Sequence, residues 1–243
     1  MSREFAEAVN KIEKLRSEAL RAAASFRAFE VIQEKRAPNI IGQADAERNA
    51  KAMGDYKGLF NIAEHALNTE FLVSLAKLYD THRDGTSIPK LINYIRSNLN
   101  NLQLKDFIEH NKTRPDIEER KLDYVGISNN DLVEIESTLD GLSPQIEKLK
   151  NLRDKRIAHL EVESVSLIQE EGPKVLKSSS STVEDLNYGE IHSLIETAYE
   201  VLNKISSLLN RDLAEFGPYK ETVTNDSEQL VELVRKQYDS NPS

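Results

Sequence analysis

At 243 residues, with 39% apolar and 30% charged residues, the chain is long enough for one large domain, or one domain with a modest appendage, and can bury a sizeable core. Nine glycines and seven prolines are few, which is the profile of a helical globular protein and excludes a disordered or all-β one. The absence of cysteine excludes disulfides, thiolate metal sites and a cysteine nucleophile, and a net charge of −9 argues against a broadly basic surface that wraps long nucleic acid.

The first residues open directly into a charged amphipathic pattern, without the apolar core of a signal peptide and without a run of membrane-spanning length. A cytoplasmic location with no membrane partner is expected. Residues 3 to 35 read as one long helix, because Phe5, Val9, Ile12, Leu15, Ala19, Ala23 and Phe26 are spaced by three and four and share a face. Pro38 and Gly42 then punctuate the chain. From about Gln43 to Asp80 a second helical stretch carries Phe60, Ala63, Leu67, Phe71, Leu75 and Leu78, with Gly54 and Gly58 placed to kink its early part. Thr81 to Ser87 is a polar turn, and Ser87 followed by Ile88 and Pro89 starts a third helix bearing Leu91, Ile92, Ile95 and Leu99.

Residues 100 to 128 give a short helix near Leu104 to His110 and then an irregular, charged connection past Pro115. Asn130 or Asp131 caps the next helix, which is interrupted around Gly141 to Pro144 and resumes through Ile146, Leu149 and Leu152 to His159. From Leu160 to Ser181, brief alternation, Gly172-Pro173 and four consecutive serines read as a flexible excursion or a small hairpin. A last strong helix spans roughly Tyr188 to Leu213, with Ile191, Ile195, Ala198, Leu202, Ile205 and Leu209 in register. Gly217-Pro218 ends it, and a weaker helix runs from Ser227 to Tyr238. The expected fold is all-α: a bundle of four to five main helices over residues 1–216, with a short irregular or hairpin excursion and a C-terminal appendage at 217–243.

The most informative segment is Leu152-Arg153-Asp154-Lys155-Arg156-Ile157-Ala158-His159. Five cations stand between Lys148 and Arg156 against one acid, Asp154, which also fits cations complementing the dipole at a helix C-terminus. At 100° per residue, Leu142, Ile146 and Leu149 form the apolar stripe and Arg153 falls at about 20°, within it. A guanidinium placed there must find partners, because an unpaired buried charge costs several kcal/mol. His159 falls at about −100°, on the shoulder beside Leu152, with Lys155 and Arg156 as its i−4 and i−3 neighbours. Cations that close lower a histidine's pKa and keep the imidazole neutral, as a base requires.

Arg153 with polar Asp154 beside it, and His159 after five intervening residues, resembles the signature of the HEPN superfamily of helical proteins. The wording of this segment, together with Ser74-Leu75-Ala76-Lys77-Leu78-Tyr79-Asp80 and Ser87-Ile88-Pro89-Lys90-Leu91-Ile92 upstream, is similar to the abortive-infection branch of AbiU type, over roughly residues 5 to 210. The resemblance implies a HEPN-like bundle that pairs into a homodimer and builds a composite, metal-independent ribonuclease site with no cofactor, in a bacterial defence or toxin–antitoxin system with an antitoxin or defence partner. It implies catalytic roles for Arg153 and His159, an orienting role for Asp154, and RNA contacts for Arg156 and Lys155. Superfamily members without nuclease activity act as interaction modules, and a buried arginine tied to a core carboxylate with a histidine at the helix end is the structural alternative.

Other polar residues carry weaker signals. His65 lacks the second histidine of a zinc-protease spacing and reads as a core or groove histidine, whereas His82 and His110 lie near polar turns and read as exposed. His192 is an ordinary helix residue. Asp80 and Asp84 bracket a turn without the glycine and glutamate of a calcium loop, which leaves local capping.

Overall fold

Helical periodicity is realised in eleven α-helices among the described residues, with no β-strand. The computed structural model describes residues 3–82, 85–158, 186–212 and 217–240, with only the backbone described at 155–158 and 217–220. In chain order the helices are α1 (Arg3–Glu34), α2 (Pro38–Ile41), α3 (Gln43–Asp55), α4 (Lys57–Leu78), α5 (Ile88–Ser97), α6 (Leu104–Asn111), α7 (Ile117–Leu122), α8 (Asn129–Asp140), α9 (Ser143–Ala158), α10 (Tyr188–Asn210) and α11 (Gly217–Ser240). The hairpin or irregular excursion expected at 160–181 lies outside the described residues.

Local chemistry explains where the helices depart from the expected spans. The stretch from Gln43 to Asp80 is two helices, because the chain leaves helical geometry at Tyr56 (φ −111°, ψ 29°), between two glycines that weaken a helix interior. Helix α8 is capped by Ser128 rather than by Asn130 or Asp131: the Asp131 backbone N–H donates to the serine hydroxyl, and the Asp131 carboxylate accepts the Ser128 N–H at 2.8 Å. Helix α10 ends at Asn210 because Arg211 turns left-handed (φ 57°, ψ 25°), well before the Gly217-Pro218 pair. Helix α11 starts at Gly217, where the apolar pattern alone starts it at Ser227.

The chain divides into two units, residues 1–19 with 74–214 and residues 20–73 with 215–243, the division falling within α1 and within α4. In the first unit Phe5, Ile12 and Leu15 on α1, Leu91, Ile92 and Ile95 on α5, and Ile191, Ile195, Ala198, Leu202, Ile205 and Leu209 on α10 are buried as the periodicity marks, whereas Val9 and Leu99 are half-buried; Leu132 and Ile135 on α8 are buried too. Each such aliphatic side chain removed from water contributes about 2 kcal/mol, which is the main force holding the unit together. Phe5 meets Phe107 edge-on at 6.5 Å, and Phe107 stacks on Tyr124 at 4.5 Å.

Polar ties close the same unit. Asp212, just past the left-handed Arg211, accepts both Nη groups of Arg114 at 2.9 and 3.0 Å and Nη1 of Arg120 at 3.0 Å, while its backbone carbonyl accepts from the buried Arg16 at 3.0 Å. In the second unit Ile32, Met53, Phe60 and Val231 form a buried cluster, and Phe71 packs against Phe26 at 5.0 Å and Phe29 at 6.1 Å. Among the described residues no helix is long and apolar enough to cross a membrane.

Candidate functional site

Helix α9 opens on Ser143-Pro144, where a proline costs no helical hydrogen bond, and its Leu149 is fully buried. Four residues on, Arg153 lies on the same face, and its side chain is only 16% exposed. The guanidinium is spread over two carboxylates. Nε and Nη2 donate to Asp154 Oδ1 at 2.8 and 2.6 Å, and Nη1 donates to Asp80 Oδ2 at 3.4 Å.

The two acids differ in kind. The Asp154 side chain is 64% exposed and shares its contact with solvent. Asp80, 22% exposed, follows the last turn of α4, whose end is pinned to α10 by the Tyr79 hydroxyl donating to the Leu194 carbonyl at 2.5 Å. The other Asp80 oxygen accepts the His82 backbone N–H at 2.9 Å. Burial alone would raise the Asp80 pKa, but the His82 N–H and the charges of Arg153, His82 and Lys90 outweigh it and hold the carboxyl below its usual value. Asp80 therefore stands as a carboxylate behind the guanidinium.

Beside this pair, α5, α8 and α9 enclose a cleft of about 550 Å³. It reaches Thr81, the neighbour of Asp80, and Lys150, one helical turn before Arg153.

Of the residues singled out from the sequence, Arg153 and Asp154 are thus in direct contact. Lys155 and Arg156 are placed by backbone alone in the last turns of α9, and His159 lies outside the described residues. Asp80 does cap the turn after α4, through His82, but its bond to Arg153 had no signal in the sequence beyond a polar residue at a helix end.

Among the remaining polar residues His82 is exposed, as its turn suggests, while His65 and His110 differ from their sequence reading. Lys148 serves the fold, donating to Glu190 in the first turn of α10 at 2.9 Å. His65 is exposed on α4 instead of lying in the core, because its side of that helix faces solvent. His110 is half-buried instead of exposed: its ring lies 5.2 Å from that of Phe5, and its Nδ1 is buried without a hydrogen-bond partner. Burial first, and Arg114 second, lower its pKa against the opposing pull of Asp212.

The family model of AbiU2, a HEPN family, matches residues 5–230. The chain belongs to the AbiU2 family of HEPN proteins. The match takes in Asp80, the whole α9 segment and most of α11, so as a HEPN protein of an abortive-infection family the chain has its Arg153–Asp154 contact inside the shared region. No curated protein and no solved structure matches the chain.

Proposed function

We propose that this HEPN protein is a metal-independent endoribonuclease of a bacterial defence system, of abortive-infection or toxin–antitoxin type, active as a homodimer that brings two α9 segments to one RNA-binding cleft. The observation that supports it most is the setting of Arg153, a half-buried guanidinium held from behind by Asp80 and from the solvent side by the exposed Asp154.

An arginine fixed in that way is prepared for a phosphodiester. A phosphate displaces the exposed carboxylate of Asp154 at small cost, takes the bidentate donors, and leaves Asp80 in place to orient the fork. Neutral His159 takes the proton of the ribose 2′-hydroxyl, and the 2′-oxygen attacks phosphorus. The P–O5′ bond breaks with a proton delivered to the leaving oxygen by an imidazolium, giving a 2′,3′-cyclic phosphate and a 5′-hydroxyl. Arg153 stabilises the charge that builds on the phosphoryl oxygens, and Arg156 and Lys155 hold the adjoining backbone.

The test is cleavage of labelled RNA in the presence of chelator by the purified chain and its His159→Ala and Arg153→Ala variants. Loss of cleavage in both variants, with the fold intact, is the expected result; cleavage that survives His159→Ala sinks the assignment. A second reading, an interaction module that assembles through the same surface without catalysis, draws on the fact that Arg153 already faces two carboxylates. A dimeric chain that leaves every RNA uncut would favour it.

A further inference from the structure

The cleft beside Arg153 has a lining that suits neither a phosphate nor a purely apolar group. Its walls include Tyr79, Ile92, Leu139 and Ile146, and its rim carries Glu136, Asp140 and Glu147 against one ammonium, Lys150. With Glu136 already neutralised by Arg96, two carboxylates face one ammonium, a lining that disfavours a phosphate and accepts hydrogen bonds from a neutral group rich in N–H donors. Glu136 is held by Arg96 at 2.6 Å, whereas Asp140 and Glu147 are exposed and carry no ion pair among the described residues. The volume, about 550 Å³, falls within the range of sites that take small molecules.

Position narrows the occupant further. Lys150 precedes Arg153 by about one turn of α9, and Thr81 follows the Asp80 that holds Arg153, so the cleft wall includes the chain neighbours of both members of that pair. A strand whose phosphate rests on Arg153 therefore brings a flanking base to the cleft mouth. Single-stranded RNA is recognised in this way, with unstacked bases laid on apolar or aromatic surfaces and their Watson–Crick edges hydrogen-bonded by side chains.

We propose that this cleft is a nucleobase site, selective for guanine over uracil, that receives the base next to the phosphate held by Arg153; it rests on the RNA-cleaving reading given above. Guanine presents N1–H and the N2 amino group side by side, matching the two oxygens of one carboxylate at Asp140 or Glu147, while the Lys150 ammonium or the Asn93 amide meets O6. Uracil presents one N–H between two carbonyl oxygens, which the same carboxylates repel. Adenine and cytosine, with a single amino group, fall between.

The experiment measures binding of fluorescein-labelled, fully 2′-O-methylated, hence uncleavable, UUGUU and UUUUU to the full chain by fluorescence anisotropy, alongside Glu147→Gln and Asp140→Asn. Both substitutions are isosteric and at exposed positions, and unchanged thermal midpoints establish that the variants fold. The guanine oligonucleotide is expected to bind about tenfold more tightly, and at least one variant to reduce that preference below about threefold. Equal binding of the two oligonucleotides, absence of binding to either, or a preference that both variants leave intact overturns the proposal. Mapping cuts on unmodified RNA separates it from the catalytic reading. Cleavage without guanine preference overturns the base site alone, and guanine-selective binding without cleavage upholds the base site while removing the nuclease.

Discussion

Asp80 and Arg153, 73 residues apart in the chain, meet at 3.4 Å where the end of α4 passes α9. The contact gives Arg153 a carboxylate held by a backbone N–H and partly shielded from solvent, in addition to the exposed Asp154. If Arg153 holds a phosphate as proposed, Asp80 is a positioning residue, one that bonds Nη1 and leaves Nε and Nη2 to Asp154 or to a ligand.

Replacing Arg153 by lysine keeps the charge and removes the planar fork. RNA cleavage is expected to fall by roughly 10²-fold, the loss typical when one transition-state donor goes. Initial rates with labelled RNA measure it, and a rate within twofold of the parent would show that charge alone suffices.

Asp80→Asn keeps the shape of the side chain and deletes its charge. Its folded pKa lies below the usual carboxylate value, so the stability it contributes is fully present above about pH 4 and is lost as the pH falls through the lower folded value. The variant is expected to be less stable at pH 7 by about 1 kcal/mol or less, as befits a partly exposed pair. That difference should shrink below pH 4, where urea midpoints of the two proteins converge. On the nuclease reading cleavage should fall with it, because Asp154 is then the one charged partner among the described residues that orients Arg153.

His110 titrates in the opposite chemical sense but with the same sign of pH dependence. Its folded pKa lies below 6.5, because protonation places a charge on a half-buried ring beside Arg114. The stability tied to its neutral form is therefore complete above pH 6.5 and is lost as the pH falls through the lower folded value. Chemical denaturation of the parent is expected to shift to lower denaturant between pH 7 and pH 5, and His110→Gln to lose most of that shift. Parallel curves for the two proteins would count against it.

Arg211 holds a left-handed conformation that a side chain disfavours by about 1 kcal/mol. Glycine removes that cost. It also deletes the ion pair to Asp123, which is exposed enough to be worth 1 kcal/mol at most, and leaves the Arg211 carbonyl free to accept from Arg120 as before. Arg211→Gly is expected to be neutral or to raise the thermal midpoint by about 2–4 °C, whereas Arg211→Val should lower it.

The long apolar stripes of α1, α5 and α10 were legible because each repeats at helical spacing over two turns or more, and most of the residues that spacing marks are buried, although buried neighbours such as Phe29 and Leu194 fall outside the marked set. Helix α7 was not: Ile117–Leu122 is six residues long, buries none of them, and so leaves no periodicity to read. The ends of α8 and α10 were misplaced for another reason. Ser128 caps through a reciprocal bond with Asp131, and Arg211 terminates by a backbone conformation that its residue type disfavours. At the candidate site, Arg153 and Asp154 are one residue apart and could be read together. Asp80 could not, since its role is set by which helix ends pass each other.

The convergence on Asp212 bears on how the first unit is made. Arg16 emerges during synthesis 196 residues before the carbonyl it binds, and Arg114 and Arg120 emerge 98 and 92 residues before their shared carboxylate. Their common partner is the last part of the unit to leave the ribosome, after the whole of α10. Apolar collapse can begin earlier, but the guanidiniums from α1, α7 and the loop between α6 and α7 settle only when that final turn arrives. The unit is thus locked from its C-terminal end: in a nascent chain stalled short of residue 212, Arg16 and Arg120 keep only their local acidic partners Glu13 and Asp116, and Arg114 lacks the carboxylate that takes both of its Nη groups.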